Sequence, residues 1–270
     1  MTAIDGALHD FRRLDELAAG ATPIHRLDPR AKVLVTLVFT VTVVSFGRYE
    51  LTPLLPFFLF PVAMAALGDL PVRFLVEKIA LALPFVLLVG IFNPLFDRAV
   101  LCHVGPFGIS GGWISFASII VRAVLTVGGV LILVAVTGFS SVCRALEQLG
   151  APRVFVVQLL FLHRYLFVLA EEGGRAARAR ELRACGRRGL GIGSYAPLVG
   201  HLLVRTWERA ERIHRAMLGR GFAGALHTCR PSRFGGRELL FLLFWTTLFI
   251  ILRRYDVSRM IGATVTGALP

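Results

Sequence analysis

The stretch FASIIVRAVLTVGGVLILVAVT, Phe116 to Thr137, decides the fold, because it carries one charge, Arg122, in an otherwise apolar run. A helix rises about 1.5 Å per residue and the hydrocarbon core of a bilayer is about 30 Å thick, so roughly twenty such residues cross it. Similar runs lie on both sides. Upstream they cover Val33–Phe46, extendable back through Ala31, then Leu51–Leu67 and Ile79–Phe96; downstream, Leu239–Leu252. Pro53, Pro56 and Pro61 interrupt the second run, but membrane helices tolerate proline where neighbours re-satisfy the freed backbone groups. The composition agrees: 56% of the 270 residues are hydrophobic and 17% charged, against about 45–50% and 25% in soluble domains. The reading is an all-α integral membrane protein with about five transmembrane helices and a cytoplasmic domain of amphipathic helices.

The cytoplasmic domain is expected at residues 138–238, between spans 1–4 (residues 1–137) and a final span with its tail (residues 239–270). This region holds more than half of the arginines in little more than a third of the length, and its apolar residues recur at helical spacing. Ser140 is placed to cap a short helix, Val142–Leu149, ended by Gly150 and Pro152. A long helix follows from Val154 to Cys185. Its first half is apolar enough to touch the bilayer; its second half is charged, with Glu171 and Arg175 at i,i+4 spacing. After glycines at 186–193, a helix from Pro197 to Leu218 carries an apolar stripe of Val199, Leu203, Trp207 or Thr206, Ala210, Ile213 and Met217. Its other face holds Arg205, Glu208, Arg209, Glu211, Arg212 and Arg215, with Glu208–Arg212 and Glu211–Arg215 spaced to pair.

Charge bias gives the topology. Arg12, Arg13, Arg26, Arg30 and Lys32 precede the first span, and basic residues mark the cytoplasmic side, so the N-terminus is expected inside. Five spans then put the C-terminus outside, which Arg253 and Arg254 fit only if they snorkel to the interface. The polar N-terminal segment is no cleavable signal peptide. Arg122 should face protein, water or an interface, since lipid exposure is costly.

Several functions are disfavoured. No GxxxxGK[ST] loop is present, so any ATP hydrolysis must come from a partner. No nucleophile triad or paired-carboxylate arrangement falls on one element, and the chain is not expected to be an enzyme. Cys102, Cys143, Cys185 and Cys229 lack metal spacing, and the adjacent Cys102 and His103 do not make a site. Acidic residues are few in the spans, against a proton-coupled carrier. Interleaved glutamates favour a protein partner for the basic region over nucleic acid, which would reward unopposed positive charge.

Three motifs fall in a telling order: HRLDPRAKVL at His25–Leu34; ALEQLGAPRVFVVQLLFLHRYLFVLAEEGGRAARAREL at Ala145–Leu182; and ERAERIHRAMLGRGF at Glu208–Phe222. With the span layout, they resemble the transmembrane T component of energy-coupling factor (ECF) transporters, most closely the cobalt-type CbiQ proteins of the EcfT family. The resemblance implies an L-shaped subunit in the bacterial inner membrane. It implies partners: a CbiO-like cytoplasmic ABC ATPase dimer, a CbiM-like substrate-binding membrane subunit and a small CbiN-like accessory subunit. The chain itself would bind no cofactor, ATP and Mg being used by the ATPase. The family has two coupling helices, each ending in an Ala-Arg-Gly-like motif whose arginine docks into the ATPase. The second maps to Arg220 and Gly221, with Ala216 in the same RAM–RGF element and Gly219 where alanine is common. The first maps to Arg188 and Gly189, with Arg187 as a substitute, or in another frame to Ala184-Cys185-Gly186. Asp28, Pro29 and Arg30 read as a helix start, since Asp is a good N-cap and Pro suits the first helical position. The implied substrate is cobalt, with nickel or a vitamin as alternatives, and a stand-alone secondary transporter as a further one.

Overall fold

In a computed structural model of the chain, residues 3–96, 100–104, 107–183, 192–224 and 234–255 are described. Ten helices account for most of them: α1 (Ala3–Ala18), α2 (Pro29–Val44), α3 (Leu59–Leu67), α4 (Val72–Gly90), α5 (Phe92–Phe96), α6 (Gly111–Thr137), α7 (Phe139–Gln148), α8 (Arg153–Arg183), α9 (Ile192–Leu218) and α10 (Gly236–Arg254). The described residues are all-α apart from a short antiparallel hairpin before α6, β1 (Val100–Val104) with β2 (Phe107–Ser110). Cys102 and His103 fall on β1, and among the described residues no three metal-ligating side chains come together. The chain divides into two compact units. One comprises residues 15–138 and 232–270; the other comprises residues 1–14 and 139–231.

The first unit is a helix bundle built on α2. Asp28 caps that helix, its Oδ1 accepting the Arg30 N–H at 2.9 Å, and Pro29 occupies the first turn. Proline's missing N–H would have no partner there anyway. Inside the helix, the Thr36, Thr40 and Thr42 hydroxyls donate to the carbonyls of Lys32, Thr36 and Val38. Such back-bonding satisfies hydroxyls where no water is available. Phe39 is fully buried in an aromatic cluster with Phe60 (ring centroids 4.6 Å apart) and Phe249 of α10 (5.5 Å). Trp245 meets Phe60 edge-on at 4.9 Å. On α6, Gly128 and Gly129 let neighbours approach: a Cβ at Gly129 would sit 3.1 Å from Phe39, and one at Gly128 would sit 3.3 Å from Ile79 of α4. Small residues at helix crossings do this work in membranes, where apolar burial alone supplies little attraction between helices.

The spans differ from the sequence reading in detail. Among the described residues, three helical stretches are long and apolar enough to cross a membrane: Val72–Pro94, Gly111–Thr137 and Arg153–Arg180. The helix expected at Val33–Phe46 has 16 residues, about 24 Å of rise. The proline-rich run is not one α-helix: Thr52–Phe58 is a 3-10 turn with Pro56 inside, and α3 follows it. Each proline lacks a donor and crowds the preceding turn, which favours the tighter helix. α3 stops at Asp69, a non-glycine residue at φ +51°. The Leu70 N–H closes onto the Ala65 carbonyl at 3.0 Å, burying the Leu70 side chain.

The two ends of this bundle are chemically distinct. At one, Lys32 is 2% exposed and its Nζ donates to the Val136 carbonyl in the last turn of α6 at 3.4 Å. A cation there meets the negative end of the helix dipole. At the other, the carbonyls ending α2 are taken up by arginines. Arg122 of α6 donates to the Gly47 carbonyl. Arg253 of α10 donates to the Ser45 carbonyl at 3.0 Å and lies 4.1 Å over the Phe46 ring. Hence α6 runs antiparallel to α2, and α10 parallel to it.

The second unit is built from α7, α8 and α9. Ser140 lies inside α7 and does not cap it: Gly138, at φ +78°, turns the chain directly into the helix, and the Ser140 carbonyl accepts from Arg144 Nε at 3.2 Å. Phe139 stacks on His163 of α8 at 4.7 Å. α9 begins five residues earlier than expected, at Ile192, with Pro197 in its second turn, where proline removes a single backbone donor.

Candidate coupling site

α9 ends in a fixed geometry. Gly221 adopts φ +80°, its N–H donates to the Leu218 carbonyl at 3.0 Å, and the Phe222 N–H reaches back to the Met217 carbonyl at 3.0 Å. This pair of bonds is a Schellman closure, which satisfies terminal carbonyls and needs a residue tolerant of positive φ. It makes Arg220 the C-cap residue: exposed, on a defined turn, and at the negative end of the helix dipole. Ala216, one turn back, is also exposed. An arginine so placed offers a planar fork of donors suited to a carboxylate on a partner. α7 ends the same way: Gly150 has φ +110°, and the Ala151 N–H closes onto the Leu146 carbonyl at 2.9 Å. Arg187, Arg188 and Gly189, with the alternative frame Ala184-Cys185-Gly186, lie outside the described residues.

The apolar stripe of α9 points outward. Val199, Leu203 and Trp207 are 59%, 68% and 76% exposed. Ala210 is exposed as well, while Ile213 and Met217 are half-buried. The face packed on α8 is a different one. A Cβ at Gly173 of α8 would sit 3.7 Å from Leu202, and two arginines of the face opposite the stripe, Arg205 and Arg209, both contact Glu172 of α8. The contacts are 2.9 Å from Arg205 Nε to Oε1 and 3.0 Å from Arg209 Nη1 to Oε2. At about 100° per residue, the line 202–205–209 is about a third of a turn from the line 199–203–207. The packing line therefore leaves the stripe outward, while Arg220, on the azimuth of Leu202 about five turns on, is exposed at the end of the helix.

Glu172 is the residue that sequence reasoning missed. Its neighbour Glu171 pairs with Arg175 at 2.9 Å, as the i,i+4 spacing suggests. Glu208 lies 3.8 Å from Arg212, and Glu211 binds Arg215. Local spacing finds these pairs. A bond from one helix to the next has no such signature beyond the i, i+4 repeat of Arg205 and Arg209.

In the other unit, Asp28, Arg30 and Lys32 form a compact group. Asp28 is 5% exposed, and Arg30 Nε lies 4.0 Å from its Oδ1. Burial of an acid and a base one turn apart marks this group as part of the bundle's architecture.

Comparison with known proteins agrees with these features. The profile of the CbiQ family, described as cobalt transport protein, matches residues 20–230. The chain is 25% identical over 275 residues to the energy-coupling factor transporter transmembrane protein EcfT of Bacillus subtilis, covering 96% of this chain and 97% of that one. The EcfT protein of Heliobacterium modesticaldum is 25% identical over 250 residues, covering 86% and 92%. An uncharacterized protein of Methanocaldococcus jannaschii is 24% identical over 249 residues, covering 88% and 91%. With apolar helices in one unit and an arginine-rich, glycine-stopped helix in the other, the profile match over most of the length establishes that the chain belongs to the CbiQ family, the transmembrane T components of energy-coupling factor transporters.

Proposed function

We propose that the chain is the non-catalytic coupling subunit of a cobalt importer. It passes the movement of a cytoplasmic CbiO-like ATPase dimer, which binds ATP and Mg, to a CbiM-like substrate-binding membrane subunit, with a CbiN-like accessory subunit alongside. Its place is the bacterial inner membrane, with the N-terminus and α9 on the cytoplasmic side, as the arginine bias favours. The observation that carries this reading is the end of α9. Arg220 is an exposed C-cap on a Schellman turn beside an outward apolar stripe, a form suited to insertion into an acidic pocket of a partner. Arg188, with Gly189 and the neighbouring Arg187, is assigned the equivalent role on the other coupling helix. Cobalt rests on the family's description as cobalt transport protein alone.

The test is co-purification with the ATPase and ATP-driven cobalt uptake in vesicles, comparing wild type with Arg220→Ala, Arg188→Ala and the double change. The double change is expected to abolish uptake and to weaken or uncouple the ATPase. Wild-type behaviour in every variant, or cobalt movement by the chain alone, would overturn the reading. Uptake of nickel or a vitamin in place of cobalt would move the substrate and leave the coupling role intact.

A further inference from the structure

We infer that Glu172 is a positioning residue for coupling: its carboxylate, held by Arg205 and Arg209, fixes the rotation and axial register of α9 on α8 and so sets where Arg220 and the apolar stripe are presented. The inference rests on the coupling reading above. Three observations carry it.

First, Glu172 is 6% exposed and is the only buried acidic side chain of its unit among the described residues. A buried carboxylate is costly unless it is paired, so the position constrains whatever packs on it. Second, arginines one turn apart on the same helix face its two oxygens, Arg205 at Oε1 and Arg209 in ion-pair contact with Oε2, which accepts no hydrogen bond. Two ion pairs on one carboxylate, from positions a turn apart, resist both rolling and sliding of α9, which a single exposed pair does not. Third, the surrounding apolar contact is thin. Gly173 and Gly174 follow Glu172, and the approach at Gly173 is to Leu202, while Leu203 and Trp207 beside it are 68% and 76% exposed. With little apolar interlock, the ionic triad is what specifies the crossing. Changing the rotation of α9 by one residue's step would turn Arg220 through about 100°.

The test uses spin labels at Leu169→Cys on α8 and His214→Cys on α9 in the full-length chain, with the four native cysteines replaced by alanine. The inter-label distance distribution is measured for the chain alone, and the ratio of cobalt uptake to ATP hydrolysis for the assembled transporter. Wild type should give one narrow distribution. Glu172→Gln should broaden or split it and lower the uptake-to-hydrolysis ratio by about tenfold. The neutral triple change Glu172→Gln/Arg205→Gln/Arg209→Gln strands no buried charge, so it should fold even if the single change does not, and should show the same loss. The inverted triad, Glu172→Arg/Arg205→Glu/Arg209→Glu, should narrow the distribution and restore the ratio. An unchanged distribution in the triple change, or a broadened one with the ratio intact, overturns the inference. The distance readout needs no partner. A failure of the coupling reading would appear instead as wild-type transport in the Arg188/Arg220 double change.

Discussion

At the scale of single residues, backbone conformation decides which substitutions matter. Gly221 at φ +80° has open space around it, so a side chain there is limited by backbone strain and not by a clash. Gly221→Ala should cost about 1 kcal/mol locally and Gly221→Asn less, because Asn tolerates the left-handed region. If Arg220 must sit on that turn, ATPase co-purification should fall in the order Gly, Asn, Ala at residue 221; equal recovery from all three would show that the turn is not needed. Asp28 gives a second prediction. Asp28→Asn keeps a side chain able to cap α2 but removes the carboxylate near buried Lys32, whereas Asp28→Ala removes both. The alanine variant should unfold in detergent at the lower temperature, with the missing cap alone worth about 1 kcal/mol. Matching midpoints would show that the cap contributes nothing. Both motifs were legible in the sequence, because Asp-Pro at a helix start and Arg-Gly at a helix end are local signals. Glu172 was not legible: its partners lie on another helix, more than thirty positions along the chain.

At the scale of elements, the bundle depends on close approach at glycine. A Cβ at Gly129 would lie 3.1 Å from Phe39, itself fully buried among aromatic rings. Gly129→Ala requires the Phe39 ring to give by a few tenths of an ångström, while Gly129→Leu forces α2 and α6 apart. The leucine variant should lower stability in detergent by about 1–3 kcal/mol and the alanine variant by distinctly less. A fully stable leucine variant would mean that the α2–α6 crossing differs from the one described. Apolar runs identified these elements, yet run length alone misjudged one of them. The segment after Leu51 reads as a continuous hydrophobic stretch, but its prolines remove donors and tighten it into a 3-10 turn. Arg253 sat poorly with an outward C-terminus on charge counting alone. The fold supplies its role: it takes up the Ser45 carbonyl and covers the Phe46 ring, partners that only the parallel packing of α2 and α10 brings within reach.

At the scale of the whole molecule, the open issue in the sequence is α8. Its stretch Arg153–Arg180 is long and apolar enough to cross a membrane, although only 6% of its most apolar window is buried. Two physical arguments set its course. Its second half carries Glu171, Glu172, Arg175, Arg178 and Arg180, charges that cost several kcal/mol each in hydrocarbon without partners. If α8 crossed, the helix after it, with Arg205, Arg209, Arg212, Arg215 and Arg220, would lie on the side opposite Arg144 and Arg153, against the positive-inside bias. The expected course is therefore along the cytoplasmic face, with the apolar first half at the bilayer surface and the charged half in water. Single cysteines at Arg153, Arg212 and Arg48, in a chain whose native cysteines are replaced by alanine, can be probed with a membrane-impermeant maleimide on intact cells and on inside-out vesicles. Residues 153 and 212 should react only in inside-out vesicles, and residue 48, beyond the end of α2, only in intact cells. Reaction of 153 and 212 from opposite sides would mean that α8 spans the bilayer and that Arg220 faces away from any cytoplasmic ATPase.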